Sequence, residues 1–431
     1  MKKLLICLMA MAFTASSLCA APKKKGNNAN YCSSGGKVLN IYSYNDEFQN
    51  VVMDNLGYEF PENVTVEWHT IPFFDGNYLN TIKDLLNNQN KLSNDEKIDL
   101  LIIEPDYIKH FINAGYLLDV KKDIGLSDED MKNQFQYTKD LASDNNGNIC
   151  GVSWMVTPSM FIYRRAIAKE VLGTDDPDEV QAYVSSWDGM DHLAEMLKGE
   201  GYELFAGIDE TFRAFSQSKK TPWVVNNKIN IDPALKEWVE HSRKYTDKGY
   251  NKGGVCWDYT WMDGMSGGRN IFAYYGADWF INYVMNFSAA PGEWGICMGP
   301  EASYWGGSFV CAAKGTDNAD VIKDLLLKIS CDEEAMKKLC GNSNTIPNNK
   351  AAVKTLDEEG YTSEFLGDQK VMQYYYRQAD SLRQTATTEY DLELNNLFMT
   401  EMKEYIFGNV SISVALENFY EAAYKEFPEL K

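Results

Sequence analysis

Histidine is scarce in this chain, with four residues among 431. No two cysteines stand at CxxC spacing, no cysteine–histidine set has the spacing of a zinc site, and HExxH is missing. Neither a metal nor a cofactor is therefore expected. Positive charge is also short: 41 Lys and Arg face 62 Asp and Glu, for a formal net charge of −21. A surface this acidic repels nucleic acid and anionic membranes. The one basic cluster, Lys23-Lys24-Lys25, sits in a polar leader. Beyond the N-terminus no segment reaches the roughly 18 apolar residues that a membrane-spanning helix needs.

What is present starts with an export signal. Lys2 and Lys3 precede a continuous apolar run, Leu4 to Phe13, and then a small-residue stretch. That pattern predicts a signal peptide over residues 1–20 and a flexible Gly/Asn/Ser-rich linker over 21–36. Cleavage after Ala20 is expected, because a cut after Ala21 would leave Pro22 at the new terminus. Cys19 offers a second route, lipid anchoring, although Leu18 before it and Ser16 at minus three fit a lipobox poorly. Seven of the nine cysteines lie beyond the signal. Some could pair outside the cytoplasm, but an odd number leaves at least one free.

A chain of 431 residues is too long for one ordinary core, so two lobes are expected. Val38 to Tyr44 reads as a buried strand, and Asn45-Asp46 then caps a helix with Phe48, Val51 and Val52 on one face. Val64, Val66 and Trp68 alternate as a second strand. Leu79, Ile82, Leu85 and Leu86 mark a helix, and Ile98 to Ile103 is an apolar strand ending at Glu104-Pro105-Asp106. Gly151 to Tyr163 reads as another strand, carrying Trp154. Met190, Leu193, Ala194 and Leu197 have helical spacing, Phe309 to Ala313 is a strand, and the tail from Ser363 is rich in helix. Strand–helix alternation with apolar strands predicts mostly parallel α/β sheets, in which ligands bind beyond the carboxyl ends of strands. Asn45, Asp46, Glu47 and Glu104 fall there.

The stretch from Trp257 to Phe309 concentrates aromatic residues. Fourteen of its 53 residues are Phe, Trp or Tyr, against 13% for the whole chain. It contains Trp257, Trp261, Trp279, Trp294 and Trp305, several beside glycine or a carboxylate, as in Ala277-Asp278-Trp279. Aliphatic residues make most cores, whereas a flat ring beside Gly and Asp suits a cleft wall.

Four segments in this order resemble the extracellular solute-binding proteins of carbohydrate ABC importers, relatives of the maltose-binding protein. They are Leu39 to Phe48 (LNIYSYNDEF), Asp99 to Val120, Trp154 to Asp176, and the aromatic stretch with its YWGGS ending. Tyr44 stands where that family commonly has Trp before the Asn-Asp pair. The resemblance implies the two-lobe periplasmic-binding-protein fold, each lobe a mostly parallel sheet flanked by helices. Lobe one would take 37–155 plus 310–362, and lobe two 156–309 plus 363–431. It implies a carbohydrate ligand in the cleft between the lobes, a membrane permease as partner, and a monomer in the periplasm or cell envelope. In that setting Trp257, Trp279 and Trp305 would be stacking platforms, with Trp154 and Trp261 further candidates. Asp46, Glu47, Glu104 and Asp278, beside Asn45, would accept sugar hydroxyls, and Arg213 would donate. Aromatics with carboxylates also describe a glycoside hydrolase, and the same fold can serve a sugar-sensing receptor. Both stand as alternatives.

Overall fold

The computed structural model describes residues 38–73, 77–266 and 270–430. The expected signal peptide, linker, Cys19 and Cys32 lie outside them.

Two separate sheets carry the fold. In the first, Val38–Ser43 (β1) pairs in parallel with Thr65–Thr70 (β2) and Leu100–Ile103 (β3), and Phe309–Ala312 closes the edge antiparallel to β3. One of its faces is filled by Leu39, Ile41, Leu100 and Ile102 against Phe48, Val52, Leu325 and Met336, all at most 1% exposed. In the second, Met160–Arg164 (β4) lies between the antiparallel strands Trp294–Cys297 and Ile271–Gly276, and the latter runs parallel to Glu203–Gly207 (β5). Asn251–Gly254 adds in parallel to β5 at the far edge. Helices pack on both sheets through stripes such as Met190, Leu193, Ala194 and Leu197, all buried as their spacing predicts. This is the two-lobe α/β architecture, although three antiparallel pairings join the four parallel ones.

The helix after β1 is short, Glu47–Asn50, and runs on as a five-residue π-helical turn, Val51–Asn55. Its first amide is capped by Asn45, whose Oδ1 accepts from Glu47 N at 3.2 Å; the Asp46 side chain makes no cap. Pro105 opens the helix Pro105–Asn113 at a position where its missing N–H costs nothing. Glu104, just before it, caps nothing with its side chain and is left free.

Three connecting segments meet between the sheets. The strand expected from Gly151 forms only from Met160 onward, because residues 151–159 pair in single bridges with three different partners. Val152 exchanges hydrogen bonds with Val310, Val156 N donates to Ile346 O at 2.9 Å, and Trp305 N donates to Thr157 O at 3.0 Å. The three segments, 151–159, 298–308 and 344–349, thus form one hydrogen-bonded bundle.

Trp154 belongs to this framework and not to a ligand site. It is fully buried in the first core, 5.2 Å from the Phe48 ring, with its backbone carbonyl accepting from Asn348 N. None of the six described cysteines beyond the signal forms a disulfide, so the expected pairing is not seen among them.

Trp154→Ala is expected to cost about 3–5 kcal/mol of stability through the cavity it leaves. Trp154→Phe should cost clearly less, since it removes a buried N–H with no partner among the described residues. Urea unfolding followed by circular dichroism would check both, and equal losses would contradict the packing.

Candidate functional site

The second sheet delivers its functional groups from the carboxyl ends of three neighbouring strands, as parallel α/β sheets do. Beyond β5 come Asp209 and Glu210, beyond Asn251–Gly254 come Cys256 and Trp257, and beyond Ile271–Gly276 come Asp278 and Trp279. Two adjacent carboxylates organise this edge. Asp209 accepts from Cys256 N through both oxygens, at 2.9 and 3.2 Å. Glu210 is 6% exposed, and its oxygens accept from the Trp261 indole N–H and from Tyr275 N, both at 2.7 Å.

The consequence is seen at Trp257. Asp209 holds the amide before it, and Asp258 braces the turn after it, accepting from Val255 N at 3.0 Å and Trp261 N at 2.8 Å. Trp257 is left at φ +71°, an uncommon region for a bulky residue, with 48% of its surface exposed. Such backbone strain concentrates at functional positions. Its ring lies 5.7 Å from Trp305 and is stacked at 6.4 Å over Trp279. Trp305 is half-buried, on a loop whose next residues, Gly306 and Gly307, have φ of +68° and +104°. A side chain on Gly306 would press on the Trp279 indole at 3.3 Å.

A cavity of about 280 Å³ opens in front of Trp257 and Trp305. Pro105 and Asp106 come to it from the first sheet's side. Phe212, Arg213, Tyr275 and Tyr304 line the opposite wall, and the far end is polar, with Gln384, Asn395 and the Lys219–Asp391 ion pair. The Arg213 guanidinium sits 5.1 Å over the Trp305 ring. Asp106 keeps an open face to water although protein surrounds it, as at the floor of a cleft; burial raises its pKa and Arg213 opposes the rise. Glu104 is pushed up to about 8, first by burial and then by Asp106 and Glu47, against the pull of Arg213. Glu47 is pushed up to about 7 by burial and by the charge of the buried Asp278. Burial raises Glu210 to about 8 in spite of its two donors. The site is thus rich in carboxyl groups and short of positive charge.

The expected site residues separate into four groups. Trp257 and Trp305 line the cavity. Trp279 stands behind Trp305, its indole N–H donating to the Trp305 carbonyl at 2.7 Å, while Glu47 and Glu104 sit half-buried on the cleft beside the cavity. Asn45 and Asp46 are exposed and locally engaged, Asn45 on the Glu47 amide and Asp46 accepting from Thr70 Oγ1 at 2.8 Å. Trp261 and Asp278 are not cavity residues. Trp261 is fully buried because Glu210 draws its N–H inward, and Asp278 is buried with Oδ2 accepting from Ile346 N at 3.0 Å. Tyr44 is tied to Ser308 at 2.5 Å and packs on Phe73. Asp106, Asp209, Glu210, Gln217 and Lys219 are not singled out by sequence reasoning. The adjacent acids after an apolar strand, Leu204 to Ile208, are the available signal for Asp209 and Glu210.

The family described as bacterial extracellular solute-binding protein matches residues 62–364. Among solved structures, an extracellular solute-binding protein of family 1 is similar over 90% of this chain and 99% of its own, with a TM-score of 0.76 and 16% identity. The sugar-binding protein MalE of Xanthomonas citri is similar over 91% and 97%, with a TM-score of 0.68 and 13% identity. The galacto-N-biose-/lacto-N-biose I-binding protein of Bifidobacterium longum covers 92% and 98%, at 0.66 and 17%. At these identities the likeness establishes the fold. No curated protein sequence matches the chain.

The raised carboxyl groups set a pH dependence. Each binds its proton more tightly folded than unfolded, so the folded state is favoured at low pH and loses that advantage as pH rises. For Glu104 and Glu210 the loss runs from the ordinary glutamate range up to about 8. Melting temperature is expected to fall between roughly pH 5 and pH 8, and Glu104→Gln should flatten the fall. A wild-type melting temperature that climbs over this range would contradict the electrostatics of the cleft.

Proposed function

The chain belongs to the bacterial extracellular solute-binding proteins, and on that premise we propose that it captures a sugar outside the cytoplasmic membrane and hands it to the permease of an ABC importer. The observation that carries this reading is the cavity itself, with two indole rings, Trp257 and Trp305, beside the carboxyl groups of Glu104 and Asp106 and the guanidinium of Arg213. A pyranose offers flat C–H faces to indole rings and a rim of hydroxyls to charged acceptors and donors. The cavity volume of about 280 Å³ is at the small end for ligand sites and suits a sugar of one or two rings. Two of the similar proteins were solved in complex with lacto-N-biose and with β-1,6-galactobiose, which supports the carbohydrate class here.

In this reading Trp257 and Trp305 are the platforms, Trp279 supports Trp305 from behind, Glu104, Asp106 and Glu47 accept hydroxyls, and Arg213 donates. The lobes are divided near residues 155, 309 and 362, and closure brings Asp106 and Glu104 onto a ligand resting on the tryptophans. Hinge closure around ligand is the established motion of periplasmic binding proteins. The protein acts as a monomer, exported by residues 1–20 and held at the envelope if Cys19 is lipidated. No nucleic acid is involved.

Turnover is not part of this reading. Gly264 to Gly268 spells GMSGG and fits the GxSxG pattern of serine hydrolases by letter. In those enzymes the serine sits on a turn from strand to helix. Ser266 instead follows the helix Tyr259–Asp263 and precedes a strand, and its carbonyl accepts from Arg164 Nη2 at 3.2 Å.

A thermal-shift screen of mono- and disaccharides followed by calorimetry should find a sugar bound near micromolar Kd, about −8 kcal/mol. Chromatography after long incubation should return it unchanged; product in excess of protein would overturn the binding-only reading. Trp257→Ala is expected to weaken binding by about 1–3 kcal/mol, the value of an aromatic-sized apolar surface, with little loss of stability because 48% of the residue is exposed. Unchanged affinity would remove Trp257 from the site.

A further inference from the structure

Asp278 and Trp279 are neighbours in the chain, yet their side chains reach different connecting segments. Asp278 Oδ2 accepts from Ile346 N at 3.0 Å, in the segment 344–349. The Trp279 indole N–H donates to the Trp305 carbonyl at 2.7 Å, in the segment 298–308. Those two segments are each tied to the third. Trp305 N donates to Thr157 O at 3.0 Å, and Val156 N donates to Ile346 O at 2.9 Å. The bonds therefore close a ring, from Asp278 to Ile346, to Val156 and Thr157, to Trp305, to Trp279 and back. Asn282, four residues after Asp278, adds a strut from its Nδ2 to Asn344 O at 3.3 Å. Asp278 is 4% exposed and is not among the residues that line the cavity, so its place in the ring is what the burial of this carboxylate serves.

We infer that Asp278 and Trp279 form a clamp that couples the three connecting segments to the tryptophan wall, making the pose of Trp305 and the arrangement of the hinge a single variable. The inference rests on the reading of a two-lobe protein that closes on its ligand. A ligand pressing on Trp305 then bears on the two segments that cross near residues 155 and 309 and on the 344–349 segment bonded to them, because none of the three can shift against the others without lengthening a bond of the ring. Both residues are positioning residues: Trp279 acts through the Trp305 carbonyl and Asp278 through the Ile346 amide.

Hydrogen exchange on the ligand-free protein tests the clamp without depending on any sugar. Trp279→Phe keeps an aromatic ring beside Trp305 and deletes one hydrogen bond. Amides in 303–308 should exchange about threefold to tenfold faster, the range that the net contribution of one hydrogen bond allows. The clamp further requires the same acceleration in 344–348, which the Trp279 N–H does not touch. Exchange altered in 303–308 alone would overturn it. Asp278→Ala should accelerate both segments in the same way, while Asp278→Asn, which keeps a carbonyl acceptor for Ile346 N–H, should restore protection in 344–348. If Trp279→Phe does not fold, Asp278→Ala takes its place: acceleration that reaches 303–308 supports the clamp, and acceleration confined to 344–348 overturns it. Failure of every sugar to bind, with the exchange coupled, would instead count against the proposed ligand and leave the clamp standing.

Discussion

Two carboxylates at the end of one strand, Glu210 buried and Asp209 half-buried, support the candidate site. Asp209 and Glu210 leave the second sheet just beyond β5; the acceptors of both are filled by backbone amides and one indole N–H, and Lys403 adds a weaker electrostatic pull on Asp209. A buried carboxylate is tolerated only when its oxygens are so satisfied. The arrangement fixes the neighbouring loops, since Cys256, Trp261 and Tyr275 must each present an N–H inward. Trp257, between two fixed points, can only turn outward. The exposed ring and its strained backbone are thus produced by the acids behind it.

The cleft obeys a second constraint, electrostatic imbalance. Glu104, Asp106 and Glu47 face it from the first sheet's side, and Arg213 is the cation set among them. Arg213 is itself held over the Trp305 ring, so charge and aromatic surface are parts of one assembly. Carboxyl groups that are crowded and under-neutralised gain from any ligand that brings hydrogen-bond donors, which is the physical reason such a site favours hydroxyl-rich molecules.

Much of the fold is legible in the chain because apolar spacing survives folding. The strands Val38–Ser43 and Leu100–Ile103, the helical stripe at Met190 to Leu197 and the strand Phe309–Ala312 all sit where their periodicity puts them. The stretch from Gly151 to Tyr163 misleads, since an apolar run bridging two sheets looks like one strand in sequence although only Met160–Arg164 pairs as such. Trp154 is misplaced with it. Its neighbours Gly151 and Thr157-Pro158 have loop chemistry, yet the side chain fills a core that exists only when the first sheet is assembled.

The sequence by itself determined the α/β class and the concentration of aromatic rings between Trp257 and Phe309. These follow from composition and from the period of apolar residues, which are local properties. Tertiary structure alone decided which rings face the cleft. Trp257 and Trp261 are four residues apart with similar neighbours, yet one is 48% exposed and the other fully buried. The difference is Glu210, 51 residues earlier in the chain, which takes the Trp261 N–H into the interior. Asp278 likewise has the sequence context of a ligand acceptor but spends its carboxylate on Ile346, 68 residues later. A hydrogen bond over such a separation leaves no mark on local spacing, and so the side of the wall on which each residue stands is set only when the chain has folded.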